Sequence, residues 1–126
     1  MVEWRNQLAR SQQRNDLANE AWQIIDLAIA VHPVPDLYAL RVSAAYLADR
    51  PNEVIETARR LAYIINAEVE RVKEDNRLTE ELSNLRLRQV AVIKSAVDDV
   101  SKRHEINPQT LREVFSQLDE ATESLN

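Results

Sequence analysis

The side chains of this 126-residue chain best equipped for chemistry are two histidines, three tyrosines, two tryptophans and thirteen arginines, set against only three lysines. His32 lies in AVHPVPDLY (30–38) and His104 in RHEINPQTL (103–111). Each stands at or just past the last turn of an expected helix, where an imidazolium offsets the negative helix end by about 0.3–1 kcal/mol. A metal-binding or proton-transferring role needs a partner. His32 and Asp36 are four residues apart, but the prolines between them prevent a shared helical face. Position 101 is Ser101, so His104 lacks the Glu-x-x-His arrangement of di-iron bundles. Without cysteine there is no thiolate nucleophile, disulfide or Cys-type zinc site, and without glycine there is no nucleophile elbow or phosphate-cradling loop. The neighbouring carboxylates Asp98–Asp99 and Glu80–Glu81 point about 100° apart on a helix, so they do not share a site as acid and base. No catalytic residue, metal ligand or cofactor is assigned, and the chain is expected not to be an enzyme.

Several polar residues sit where a helical stripe points inward: Ser11 and Asn15 in the first helix, Arg41 one turn from Leu37, and Gln89 between Leu85 and Val92. A buried polar group without a partner costs about 1–3 kcal/mol. Three readings follow: the phase differs and they are exposed, they satisfy one another, or they line a ligand cavity. For the last, Trp22, Arg41, Tyr46, Tyr63 and Gln89 are the candidate ligand-contacting residues. Two stretches are basic within an acidic chain of net charge −5, namely residues 4–14 and residues 82–97 with Arg86, Arg88 and Lys94. They read either as charge matching within the molecule or as a cationic groove for a small anion or acidic peptide. Trp4, Leu8 and Arg86 are the candidate interaction surface. The negative charge and the lack of interleaved aromatics argue against nucleic acid and anionic membranes as partners.

The elements that must position these groups are helices. Average usage would place roughly nine glycines in this length; there are none, which disfavours tight hairpins and points to corners built on proline and asparagine. The spacing predicts five helices over approximately 2–31, 36–48, 51–75, 79–104 and 108–125. In the first, Leu8, Ala18, Trp22, Ile25 and Ile29 follow the helical period. Beyond Ala21 it is apolar nearly all round, which places its second half at the centre of the protein. His32 to Pro35 is a corner, and Asp36 is expected to cap the second helix, with Leu37, Leu40, Ala44 and Leu47 inward. Pro51 opens the third, with Asp49 or Arg50 as cap and Ile55, Ala58, Leu61, Ala62, Ile65, Val69 and Val72 in register. The stripe then meets Asn76 and Thr79 and restarts out of phase as Leu82, Leu85, Val92 or Ile93, Ala96 and Val100, so a break near 75–78 with Thr79 as cap is expected. Asn107 and Pro108 read as cap and first residue of the last helix, with Ile106 stapled onto Leu111.

Residues 38–64, YALRVSAAYLADRPNEVIETARRLAYI, resemble one tetratricopeptide hairpin: two short helices with alanines facing. The glycine and loop spacing of that pattern are missing and no second copy follows at 34 residues, so the likeness stays local. The fold class expected is all-α, a single compact antiparallel bundle in which the long first, third and fourth helices form the frame. The chain is expected to be cytoplasmic: the most apolar run, AWQIIDLAIAV, is too short for a bilayer and carries Asp26. Absent glycine and cysteine and a single methionine also fit a designed sequence, whereas the arginine excess and the many Gln and Asn fit one less well. The functional expectation is a helical binding or scaffold module acting through a protein partner or homo-oligomer. The alternative is a bundle holding a small molecule in a core cavity.

Overall fold

The structure, a computed structural model, describes the backbone of residues 2–75 and 79–126 and the side chains of residue 10 and residues 12–72 and 79–126. It is a bundle of five helices in the order α1 (Val2–Val31), α2 (Pro35–Leu47), α3 (Pro51–Asp75), α4 (Glu80–Arg103) and α5 (Pro108–Leu125), with no strand among the described residues.

The corners follow from local chemistry. The His32 amide still donates to Ala28 O, but Pro33 has no N–H and the helix stops. Pro35 is the first residue of α2 and Val34 its cap, extended at φ −115°, ψ 152° as a residue before proline must be. Asp36 therefore stands inside the first turn and does not cap, contrary to expectation; its carboxylate is used elsewhere. At the end of α2 the Asp49 amide donates to Tyr46 O and the Arg50 amide to Ala45 O, a Schellman closure. That closure needs a left-handed residue, and with no glycine in the chain Asp49 takes the role at φ 55°. Thr79 caps α4, accepting from the Leu82 amide at 3.1 Å, and Asn107 caps α5, accepting from Gln109 and Thr110. Residues 51–104 thus form two helices; the expected break falls partly on 76–78, outside the described residues.

The core is built around α3. Ala58, Leu61, Ala62 and Ile65 are fully buried, and α2, α4 and α5 all pack on this helix. Its alanines let Ala45 of α2 and Ala121 of α5, also fully buried, come close. Val90, Ile93 and Val97 of α4 and Val114 and Leu118 of α5 complete the interior.

The place of α1 differs from expectation. Among the described residues it packs on α2 alone, through Ala18, Trp22, Ile25 and Ile29, while Ile24, Leu27 and Val31 are 66, 71 and 86% exposed. The centre of the protein is α3, and α1 is a flank. An apolar circumference shows that a helix can be buried on every side; it does not supply the neighbours that bury it. The phases of α2 and α4 also differ. Leu40 and Leu47, expected inward, are 54 and 67% exposed while Tyr38, Val42 and Ala45 point in; Leu85, expected inward, is 42% exposed while Arg86 and Val90 point in, and of the alternatives Val92 and Ile93 it is Ile93 that is buried.

Candidate functional site

The five residues expected to gather round a ligand fall in four places. Trp22 and Arg41 do meet. The Trp22 ring lies between two guanidinium groups, Arg50 at 4.3 Å and Arg41 at 5.2 Å from its centroid. Arg41, buried on α2, pairs with Asp26 of α1 at 3.0 Å and Glu53 of α3 at 3.9 Å, and Arg50 donates to Asn19 at 2.9 Å. This cluster fastens α1 to the α2–α3 corner. Trp22 Nε1 and Arg41 Nε are buried donors without an acceptor in the protein.

Gln89 belongs to a second cluster. Arg86, only 6% exposed, reaches Glu68 of α3 (Nε to Oε1, 2.9 Å), Asp36 of α2 (2.9 Å) and Gln89 one turn along (3.0 Å); Gln89 in turn donates to Asp36 at 2.7 Å. Arg86 was expected on an interaction surface; it is instead a clasp joining three helices. The hydrogen bond from Gln89, then the Arg86 charge, hold the Asp36 carboxyl below its usual 3.8 against an opposing effect of burial. Burial disfavours the charged form of Arg86, and its contacts with Glu68 and Asp36 outweigh this, leaving it above the usual guanidinium range. Of the inward polar residues, Gln89 is satisfied by Arg86 and Asp36 and Arg41 is paired with Asp26 and Glu53, while Asn15 is exposed and the Ser11 side chain lies outside the described residues. Charge matching likewise describes the 82–97 stretch: Lys94 pairs with Asp119 of α5 as Arg86 pairs with Glu68.

Tyr46 lies elsewhere again, donating to Asp99 of α4 at 2.5 Å beneath the guanidinium of Arg103. The hydrogen bond raises the Tyr46 phenol above 10.0 and, with Arg103 and Lys102, lowers Asp99 below 3.8. Next to it His104 Nε2 is 3.1 Å from Asp49 Oδ1, a partner that the sequence spacing of 55 residues conceals. Tyr63 is 75% exposed on α3, beside Arg59, Arg60 and Gln117. Trp4 and Leu8 have side chains outside the described residues. Among the described residues no three His, Asp or Glu side chains converge as a metal site, and no helix is long and apolar enough to cross a membrane.

One surface feature was missed by sequence reasoning, because Leu40, Leu47, Leu85 and Ala96 around it were read as core. The pairs Asp36–Arg86 and Tyr46–Asp99 show that α4 runs parallel to α2, and the three-residue corner sets α1 antiparallel on the other flank. Between these flanks the outer face of α2, with Leu40, Ser43 and Leu47, is the floor of a trough. On one side an open groove of about 820 Å³ is shared by Leu17, Ala21 and Leu47; on the other, one of about 500 Å³ is shared by Leu47, Val92, Ser95 and Ala96. Leu47 lines both, so the two grooves meet over α2 as one trough between α1 and α4, aliphatic along its middle and polar at the end where Gln12, Arg14, Asn15 and Asp49 line it. Beyond the grooves, Ile24 and Val31 follow Leu17 at seven-residue spacing along α1, and Leu85 precedes Val92 by seven on α4, all of them exposed.

Comparison of the chain with known protein families, with curated proteins and with solved structures finds no match.

Proposed function

We propose that this protein is a non-enzymatic helical module whose work is to bind another protein surface. The observation carrying this reading is the trough: aliphatic side chains from three helices, at helical spacing, open to solvent side by side. Scattered exposed leucines are ordinary, but a contiguous apolar strip between packed helices marks an interaction surface. Where the two grooves meet, Ser43, Leu47 and Val92 are neutral, and the charged lining residues are Arg14 and Asp49 of one groove and Asp99 of the other; interfaces share this depletion of charge at the core. The chemistry elsewhere supports the same reading, since the polar clusters hold helices together and are satisfied largely by one another.

The test is the double variant Leu40→Gln/Leu47→Gln. These side chains are more than half exposed, so far-UV circular dichroism and the melting temperature stay within about 3 °C of the parent, as for surface substitutions generally. Fluorescence of an anilinonaphthalene sulfonate probe, bound by the parent, falls in the variant. A fall in melting temperature of 10 °C or more shows that both leucines are core and ends the reading.

A second reading, a small molecule held at Trp22, draws on the two buried donors Trp22 Nε1 and Arg41 Nε, which a ligand carboxylate or carbonyl satisfies. Native mass measurement with a panel of small carboxylates checks it, retained adducts lost in Arg41→Met being the positive result.

A further inference from the structure

The trough has a shape, an area and an edge that together specify an occupant. Its floor is α2, 13 residues or about 20 Å long, with Ser43 between Leu40 and Leu47 giving room for close approach. Such a floor between two helical walls receives a helix of three to four turns with an apolar face. The chain carries one of that kind: the crest of α1, where Ile24, Leu27 and Val31 stand 66, 71 and 86% exposed and are covered by no other element among the described residues.

We infer that a second copy of this chain occupies the trough, the two copies docking face to face about a two-fold axis so that the α1 crest of each enters the trough of the other. The inference rests on the binding reading above and names the partner. Ridge and groove belong to one chain, Ile24, Leu27 and Val31 standing exposed on the same helix whose Leu17 and Ala21 line the groove, so an isologous two-fold contact can use both at once. Its area suffices. With a fully exposed aliphatic residue taken at roughly 180 Å², the exposed aliphatic residues of α1, α2 and α4 leave on the order of 900 Å² open, against about 800 Å² per partner in a standard interface. The two α1 helices then lie side by side and antiparallel. The exposed Arg10 and Arg14 of one approach the carboxyl-terminal end of the other, where the helix dipole is negative and the last turn holds no basic residue.

Sedimentation equilibrium of the full chain, from about 1 to 200 µM, reads the outcome. The expected result is a mass rising from 14.5 kDa to twice that value, with a midpoint in the micromolar range, and a variant Ile24→Gln/Leu47→Gln that stays at 14.5 kDa with an unchanged circular dichroism spectrum. A dimer that persists unweakened in this variant overturns the trough as the interface. A parent that is monomeric throughout, yet binds the anilinonaphthalene probe in a manner lost in the variant, overturns the second copy as occupant and leaves the binding reading standing. A monomeric parent whose probe binding the variant does not change overturns both.

Discussion

Replacing Arg86 with methionine isolates the energetics of the clasp between α2, α3 and α4. Methionine keeps much of the buried stem and removes the guanidinium. The partner that matters is Glu68, whose side chain is 15% exposed; Asp36, at 59%, is returned to water when Arg86 leaves. Breaking a buried ion pair from one side costs about 3–5 kcal/mol, because the remaining charge is stranded. Glu68 keeps some solvent and Asp36 contributes little, so the loss here is set at about 2–3 kcal/mol, or roughly 10 °C in melting temperature at about 4 °C per kcal/mol for a domain of this size. The second half of the experiment is Glu68→Gln in the Arg86→Met background. Neutralising the stranded carboxylate recovers about half of the loss, and the double-mutant cycle returns a coupling above 1 kcal/mol. Urea and thermal unfolding followed by circular dichroism measure both. An Arg86→Met melt within 2 °C of the parent, or a double variant no more stable than Arg86→Met, refutes the reasoning.

The left-handed Asp49 makes Asp49→Gly neutral or stabilising by up to about 1 kcal/mol even though the His104 contact is lost, whereas Asp49→Ala destabilises by about 1 kcal/mol; chemical denaturation distinguishes them. Thr79→Ala and Asn107→Ala each remove a helix cap and lower stability by about 1 kcal/mol, read as a shift in denaturation midpoint at unchanged slope. Leu61→Ala, at a fully buried position on α3, costs about 2–5 kcal/mol by the same assay. The Tyr46–Asp99 contact gives a pH signature. Asp99 titrates below 3.8 when folded, so its share of stability is present above that value and fades as pH falls through the lowered range. Tyr46 titrates above 10.0 when folded, so its share is present below 10.0 and fades as pH rises through the raised range. The melting-temperature gap between the parent and Tyr46→Phe is therefore flat from about pH 5 to 9 and closes at both extremes.

Helix boundaries were legible because they are written in adjacent residues. Pro33 and Pro35, Pro51, Thr79 and the Asn107–Pro108 pair each act on the backbone within one turn, and the observed ends agree with the expected ones within a residue. The inward face of α3 was legible for a related reason: its stripe is long and has one phase. α2 and α4 carry apolar residues on two faces, and periodicity alone does not say which of two faces meets the core; Leu40, Leu47 and Leu85 were assigned inward on that account, and Val92 and Ile93 stood as alternatives. The clasp was illegible in a different way. Arg86 and Asp36 are 50 residues apart, and only the parallel alignment of α2 and α4 brings them to 2.9 Å. The Trp22–Arg41 contact was foreseen as part of a cavity and proved to be a fastening, since Asp26 and Glu53 supply the counter-charges that turn Arg41 into a structural bridge.

The one-sided attachment of α1 divides the molecule into units of unequal resilience. Four helices share an interior, whereas the first, among the described residues, is held by the seam of Ala18, Trp22, Ile25 and Ile29 and the polar contacts of Asn19 and Asp26 beside it. Local opening is cheapest where least surface is interred, so backbone amides of residues 2–31 exchange with deuterium through a detachment that leaves α3 untouched. Any load that reaches the chain from its amino-terminal side is met first by that seam, and a ligand that lies against it suppresses the detachment and slows the exchange.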